Sequence, residues 1–233
     1  MIIKIPAAQR YHFDGGWLST YWIFSFDHYY DPSNMGFGRL RVFNDDVVNP
    51  GGGFPMHPHQ DMEIVTILLE GELTHKDSLG HSRVIKPGEV QKMTAGTGIV
   101  HSEFNEGSVP THLYQIWITP GQKGLEPWYG YANIPCSEGH DCFTPLATEG
   151  GAGGTLPLNI DASISLGRLT AGESVELRPE NDRHLFVYIT EGELTINGQT
   201  FTAGDQARIK AEHLVTITAQ SKTFFTLIDA PPR

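Results

Sequence analysis

The sequence has 233 residues, of which 39% are hydrophobic and 18% are charged, proportions that are typical of a globular protein. No apolar run approaches the roughly 18 residues that a membrane-spanning helix requires, and a net charge of −11 disfavours binding to nucleic acid. The N-terminal residues lack the apolar stretch of a secretory signal, so we expect a cytoplasmic protein without membrane or direct nucleic-acid partners. We expect Cys136 and Cys142 to be reduced thiols.

Short segments rich in β-branched and aromatic residues recur along the chain between Gly, Pro, Asn and Asp breaks. Helical periodicity is confined to a short predicted helix around Leu125 to Tyr131. The sequence therefore predicts an all-β protein. In chain order, the clearest predicted strands are Leu40 to Phe43, Glu63 to Leu69, Thr111 to Thr119, Leu185 to Thr190 and Thr223 to Ile228.

An internal repeat predicts two tandem barrels. The segment IVTILLEGEL begins at Ile64 and the segment LFVYITEGEL begins at Leu185, a spacing of 121 residues that matches one small domain. We place the boundary near residue 145, which gives an N-terminal barrel at 1–145 and a C-terminal barrel at 146–233. The Gly- and Pro-rich segment from Pro120 to Thr155 is the predicted connection. In each copy the EGEL tetrapeptide is predicted to form a turn, where Gly71 can adopt a positive φ.

Two motifs in the first half carry the candidate chemistry, His57-Pro58-His59 and His101-Ser102-Glu103. Side chains alternate between the two faces of a strand, so the members of each pair are expected to point the same way. If both pairs face the inside of one barrel, three imidazoles and one carboxylate converge on a point that suits a divalent transition metal. Glu63 shares the alternation of His57 and His59, so the residues alone allow either Glu63 or Glu103 as the fourth ligand.

The second half lacks this pattern. Alignment of the repeats places Arg178 and Glu180 opposite the first His pair, and no His-x-Glu follows the later turn. We therefore expect a C-terminal barrel without a metal site, in which His184 and His213 are structural or surface residues.

The sequence resembles the pirin family of the cupin superfamily over essentially its whole length. The resemblance is carried by WLSTYWIFSFDHYYDPSNMGFGRLRVFNDD from Trp17, GFPMHPHQDMEIVTILLEGELTHKDSLG from Gly53, PGEVQKMTAGTGIVHSEFN from Pro87 and LYQIWI from Leu113. It implies two tandem cupin barrels, each a double-stranded β-helix or jelly roll. It also implies one iron-type centre in the N-terminal barrel.

The ligands implied by this resemblance match His57, His59, His101 and Glu103, which favours Glu103 as the fourth ligand. The expected cofactor is one divalent ion, Fe(II) before Zn, Ni, Mn, Cu or Co. The activity that the resemblance implies is quercetin 2,3-dioxygenation. Eukaryotic members of the family are also described as nuclear partners of transcription factors, a role that the acidic balance of this chain disfavours.

These inferences together predict a monomeric, metal-dependent dioxygenase that cleaves a flavonol with dioxygen. Glu103 is expected to accept the proton of the substrate hydroxyl. We look for the apolar wall of the substrate site among Phe26, Phe43 and Met93. The alternatives are a metal-dependent redox-sensing or regulatory binding protein without turnover and, with less support, a metal-dependent sugar isomerase.

Overall fold

The computed structural model describes residues 1–135, 141–180 and 182–233, and the regular structure in these ranges is almost entirely β-strand. Its two helical elements there are the 3-10 helices Ala7–Gln9 and Ala152–Gly154, and neither has the length or apolar character needed to span a bilayer. The predicted all-β class is confirmed.

The first twelve strands are β1 (Ile2–Ile5), β2 (Tyr11–Asp14), β3 (Leu18–Trp22), β4 (Leu40–Val48), β5 (Gly53–His59), β6 (Glu63–Glu70), β7 (Leu73–Asp77), β8 (Ser82–Ile85), β9 (Glu89–Thr94), β10 (Ile99–Phe104), β11 (Thr111–Ile118) and β12 (Trp128–Asn133). The remaining strands are β13 (Cys142–Glu149), β14 (Leu156–Leu158), β15 (Ser163–Leu169), β16 (Ser174–Leu177), β17 (His184–Glu191), β18 (Glu193–Ile196), β19 (Gln199–Thr202), β20 (Gln206–Lys210), β21 (Val215–Ala219) and β22 (Thr223–Ala230).

The helix predicted around Leu125 to Tyr131 is wrong, because most of that segment belongs to strand β12. β12 pairs antiparallel with β9, with Tyr129 opposite Met93. Aromatic side chains favour a pleated, half-buried surface, and here pairing with a neighbouring strand overrides a weak helical pattern. The predicted connection from Pro120 to Thr155 therefore contains regular structure.

Strands β2–β12 form the N-terminal unit, which consists of two sheets. The larger sheet has the order β12-β9-β6-β11-β4-β3-β2, and the smaller has the order β5-β10-β7-β8. Leu18, Val48 and Leu113 of the larger sheet pack with Leu73 and Ile85 of the smaller one, so the sheets face each other across a shared interior. The sheets remain separate and do not join into one closed hydrogen-bonded barrel.

β1 and β13–β22 form the C-terminal unit, which repeats this plan. Its sheets have the orders β1-β20-β17-β22-β15-β13-β14 and β16-β21-β18-β19. Fully buried apolar side chains such as Val187, Ile217 and Phe225 fill its interior. Both predicted EGEL turns are present, with Gly71 at positive φ between β6 and β7 and Gly192 at positive φ between β17 and β18.

The first strand of the chain lies in the C-terminal unit, where Ile2 pairs with Ile209 of β20. The boundary at residue 145 stays a prediction, and β13 runs across that position. Cys142 at the start of β13 is disulfide-bonded, so the expectation of a reduced thiol is wrong there. Cys136 lies outside the described residues.

The two units share one hydrophobic core. Phe43 of the N-terminal unit is fully buried, with its ring 5.0 Å from Tyr114, 5.2 Å from Phe186 and 4.8 Å from Tyr188. The prediction that Phe43 lines the substrate site is therefore wrong. Phe43 instead packs against Phe186 and Tyr188 of the C-terminal unit and so belongs to the interface between the two units.

Polar groups at the edge of this shared core converge on Asp45. The Tyr188 hydroxyl donates to Asp45 Oδ2 at 2.6 Å, Arg10 Nη1 lies 3.6 Å from the same oxygen, and His112 Nε2 lies 2.7 Å from Oδ1. Burial alone would lower the pKa of His112. The hydrogen bond and charge of Asp45, together with Glu70, outweigh burial and hold the pKa of His112 above its usual value.

Replacement of His112 by Gln should lower stability most under acidic conditions. A group whose pKa is raised by folding contributes stability that is fully present below its unfolded pKa of about 6.5 and is lost as pH rises through the folded pKa. We therefore expect the variant to lose about 1.5–3 kcal/mol near pH 6, the contribution of a charged hydrogen bond, and much less near pH 9. Urea unfolding at both pH values measures this difference, with His213→Gln at the exposed surface as the matched control. An equal loss at both pH values would contradict the assignment of a charged His112.

Candidate metal centre

Strands β5 and β10 bring the predicted histidines together. They pair antiparallel, with His57 opposite His101 and His59 opposite Ile99. Because His57 and His59 are two residues apart, their side chains lie on the same face of β5, toward the interior. The ring centroids of His57, His59 and His101 lie 4.4–4.9 Å apart, and we call these three side chains the imidazole cluster.

A β-bulge places Glu103 in the same interior. The register between the two strands shifts after the His57–His101 pair, so that Glu103 lies opposite Phe54 and β5 carries one extra residue. Pro55 stands at this irregularity and Pro58 lies on the outer side of β5, which is an edge strand, so neither proline interrupts the sheet. The alternation on β10 then turns His101 and Glu103 to one side, as the sequence predicts.

Two members of the imidazole cluster, His59 and His101, carry no positive charge near neutral pH. Burial first, and then the neighbouring histidines, lower the pKa of His59 and of His101 to about 3. His57 Nδ1 lies 2.7 Å from the carbonyl oxygen of Pro55, so this nitrogen donates its proton and Nε2 keeps a free lone pair. Both ring nitrogens of His101 are buried without a hydrogen-bond partner in the described parts of the chain.

These observations fit a bound metal ion. One nitrogen from each ring of the cluster lies within 4.8 Å of the others, a spacing that allows three imidazoles to reach one ion. Neutral imidazole is a common ligand for Fe, Ni, Cu and Zn, and a buried nitrogen without a partner is costly unless something binds it.

Glu103 lies at the inner end of the cluster and is 2% exposed. Its Oε1 accepts hydrogen bonds from Gln91 Nε2 at 2.7 Å and from Thr66 at 3.4 Å, and its Oε2 accepts one from Gln115 Nε2 at 2.9 Å. Ligand atoms of Glu103, His101 and His75 also lie within 4.8 Å of one another. The carboxylate is therefore held firmly beside His101.

Glu63, the alternative fourth ligand, is engaged elsewhere. Its carboxylate forms a fully buried ion pair with Lys92 Nζ at 2.6 Å and accepts hydrogen bonds from Asn159 of the C-terminal unit. The alternation of β5 does not extend to Glu63, because Asp61 adopts a φ of 49° in the turn between β5 and β6. The alternation of side chains that made Glu63 a candidate therefore does not continue past that turn.

A small cavity of about 50 Å³ adjoins the imidazole cluster and Glu103. Aromatic side chains, Trp22, Phe26 and Trp117, form one wall of it. Phe26 is therefore a wall residue as predicted, whereas Met93 packs with Ile64 and Ile99 in a separate apolar cluster and does not line the cavity.

The cavity also has a polar part, which was not predicted from the sequence. Asn44 and Asp46 of β4 and Gln115 of β11 line it, and Asp46 Oδ1 has no partner in the described residues. Burial raises the pKa of Asp46 to about 7, with a smaller contribution from the charge of Asp45 and Glu103. The signal in the sequence is slight: Asn44 and Asp46 are two residues apart and so share one face of β4, but Arg41 and Asp45 are polar residues of the same strand.

The residues singled out in the second repeat copy lie at the surface or pack on an aromatic ring. Arg178, Glu180 and His213 are exposed, and His184 stacks on Phe37 with ring centroids 4.7 Å apart. In the parts of the chain that the structure describes, clusters able to hold a metal ion occur in the N-terminal unit and none occurs in the C-terminal unit.

Comparison with known proteins identifies the family. The family model described as Pirin matches residues 6–118, and the model described as Quercetinase C-terminal cupin domain matches residues 146–230. The chain is 39% identical to Quercetin 2,3-dioxygenase of Escherichia coli K12 over 234 residues, which cover 100% of both chains. It is 40% identical to a Pirin-like protein of Caulobacter vibrioides over 231 residues, which cover 99% of this chain and 100% of the relative.

The chain belongs to the pirin family. The crystal structure of YhhW from Escherichia coli matches it with a TM-score of 0.95 and 38% identity, covering 100% of this chain and 99% of YhhW. The crystal structure of the bacterial pirin YhhW in complex with nickel(II) matches with the same TM-score and identity and covers 100% of both chains. Two tandem cupin domains are thereby confirmed, and a pirin of this fold is seen to bind a divalent metal.

Exchange of each candidate carboxylate for its amide distinguishes Glu103 from Glu63 in this pirin. Glu103→Gln should lose most of its metal on dialysis, whereas Glu63→Gln should keep about one equivalent, the single ion of a site of this kind. The Glu63 variant should instead lose about 3–5 kcal/mol of stability, because Lys92 is left buried without a counter-charge. Elemental analysis and urea unfolding of both variants measure these effects. Metal loss from the Glu63 variant with retention by the Glu103 variant would reverse the ligand assignment.

Proposed function

We propose that this protein is a metal-dependent dioxygenase that cleaves a flavonol such as quercetin with dioxygen. The observation that carries the proposal is the convergence of three imidazoles and a carboxylate on a cavity that aromatic side chains help to line. The relatives named quercetin 2,3-dioxygenase support the same reaction class. We further propose that the protein acts as a cytoplasmic monomer.

The proposed ligands of the ion are His57, His59, His101 and Glu103. When bound, a divalent ion would polarise a hydroxyl or carbonyl oxygen of the substrate and make that hydroxyl more acidic. Three neutral imidazoles and one carboxylate leave positions open for substrate on an ion that prefers more than four ligands. Fe(II) is the ion that we propose, and the nickel complex of YhhW makes Ni(II) the first alternative.

Glu103 is the proposed proton acceptor. Gln91 and Gln115 hold its two carboxylate oxygens from opposite sides, at 2.7 and 2.9 Å, so the group keeps one orientation. Oε1 also accepts from Thr66, whereas Oε2 accepts from Gln115, so the second lone pair of Oε2 can take the proton of a substrate hydroxyl while the amide hydrogen bonds persist.

The dimensions of the cavity restrict how a flavonol can bind. A space of about 50 Å³ is far smaller than the roughly 300 Å³ of a typical ligand pocket, so only the oxygen-bearing edge of a flavonol enters without rearrangement. His57 and His59 are half-buried, which places the entrance on their side of the cluster. Trp22, Phe26 and Trp117 would contact the inserted edge and exclude water from it.

The same small volume favours a second candidate function. A cavity of this size admits dioxygen or a few water molecules without any movement of the walls. A protein that senses the redox state of its ion, and signals it to a partner without turnover, would need no more space than this.

Turnover by the metal-loaded protein separates these two functions. The protein is loaded with Fe(II) under anaerobic conditions and is then mixed with quercetin in air. It should consume one dioxygen and release one carbon monoxide for each quercetin cleaved. His101→Ala should lose both bound metal and activity, and a general-base contribution of about 10²- to 10⁴-fold should be missing from Glu103→Gln after correction for metal content. An oxygen electrode and carbon monoxide detection give the rates.

The exposed His213→Ala variant is the matched control and should retain both metal and rate. Repeating the assay with Ni, Mn, Co, Cu and Zn identifies the ions that support turnover. The metal-loaded protein could fail to consume oxygen and to release carbon monoxide with quercetin, and yet change its metal spectrum in air. That result would contradict the dioxygenase proposal and favour the redox sensor.

A further inference from the structure

A second buried histidine lies directly behind the proposed metal ligands. His75 on β7 is 1% exposed, and in the pairing of β7 with β10 it stands opposite Glu103, while Asp77 stands opposite His101. Its ring centroid lies 5.4 Å from that of His101. His75 does not line the cavity, so it has no direct access to a substrate there.

One nitrogen of His75 is fixed by Asp77. Nε2 lies 2.9 Å from Asp77 Oδ2, and both side chains are almost fully buried. Asp77 Oδ1 in turn accepts hydrogen bonds from the backbone N–H groups of Leu79 and His81 at 2.9 and 3.1 Å, and its carboxylate also contacts His81 Nδ1. A carboxylate held by these donors can only accept from His75, so Nε2 carries a proton, and in the tautomer with a single ring proton Nδ1 is the nitrogen with the lone pair.

The other nitrogen of His75 has no partner. Nδ1 is buried without a hydrogen bond in the described residues, and the same holds for both nitrogens of His101. The ring of His75 cannot tilt freely, since it stacks on Tyr129 at 4.3 Å with an interplanar angle of 12°. The Tyr129 hydroxyl donates to Gln91, and Gln91 donates to Glu103. The stacked rings of His75 and Tyr129 therefore lie beside His101 and are linked to Glu103 through Gln91.

We infer that His75 is a positioning residue for the metal centre, whose Nδ1 accepts the remaining ring N–H of His101 once the ion occupies the other nitrogen of that ring. This inference rests on the ligand set of the proposed function. A neutral imidazole has one lone pair and one N–H, and binding through the lone pair leaves the N–H of the buried His101 ring in need of an acceptor. His75 Nδ1 is the unpartnered acceptor beside it.

The arrangement is one that metal-binding histidines commonly use. The second nitrogen of such a ligand usually donates to a neighbouring group that fixes the tautomer and the ring orientation and makes the ligand more basic. In this chain, Asp77 fixes His75 and His75 fixes His101. His57 shows a shorter version of the same device, with the carbonyl oxygen of Pro55 as acceptor.

The test replaces His75 by Gln and by Leu and measures the affinity for Ni(II) by competition with a chelator. Gln can donate to Asp77 and accept from His101, whereas Leu can do neither. Loss of such a supporting partner costs about 10- to 100-fold in affinity, so Leu should weaken binding by that factor and Gln should recover much of it. His81→Gln, which alters the other histidine partner of Asp77, is the matched control and should bind nickel as the wild type does.

Two further readouts separate positioning from a loss of fold or of a ligand. A cooperative thermal unfolding transition shows that a metal-free variant is folded. If a His75 variant does not fold, Asp77→Asn is measured in its place. The ligand-field spectrum of the Co(II)-loaded protein should keep its coordination number in both His75 variants, and nitrogen NMR of the Zn(II)-loaded protein should show a change in the His101 N–H.

Wild-type affinity in the folded Leu variant, or an unchanged His101 N–H signal, would overturn the inference. A Co(II) spectrum that shows one imidazole fewer in both variants would overturn it as well, by making His75 a ligand. Absence of metal binding in the wild type would overturn the proposed ligand set together with this role. Normal affinities in all variants would overturn the role of His75 alone.

Discussion

Three imidazole rings packed with their centroids 4.4–4.9 Å apart are the condition on which the centre depends. Their closeness would be strongly unfavourable if the rings were protonated, and burial together with their mutual repulsion holds the pKa of His59 and His101 far below the usual value. The rings are brought together by ordinary sheet geometry, since His57 and His101 are direct partners on adjacent strands. The bulge beside them adds Glu103, and the surrounding amides of Gln91 and Gln115 set its direction.

The sequence predicted this part of the molecule well because its signals were local. Alternation within β5 and within β10 correctly placed each pair of side chains on one face, and the repeat correctly predicted two similar units. Alternation failed where the chain turned, at Asp61, so that Glu63 remained an open alternative until the resemblance to pirins favoured Glu103. A count of residues cannot continue through a turn whose dihedral angles are unknown.

Other features depend on contacts between distant segments and left no local signal. The segment after residue 125 became a strand because β9 was available to pair with it, and Phe43 faced the other unit because Phe186 and Tyr188 pack there. The polar part of the cavity around Asp46 and the buried pair of His75 and Asp77 lie on strands with other polar residues, so the sequence alone did not mark them as buried. Which side of a strand faces a site, and which faces a core, is decided by the assembled sheets.

The pairing of β1 with β20 has a consequence for how the protein is made. Ile2 is synthesised about 200 residues before Ile209, so the C-terminal sheet cannot be completed until β20 has been made. Until then β1, which is rich in isoleucine, lacks its partner strand, and an unpaired apolar strand is the kind of segment that invites aggregation and that chaperones bind. Contacts that span nearly the whole chain also slow folding, because closing such a long loop costs entropy before the contact forms.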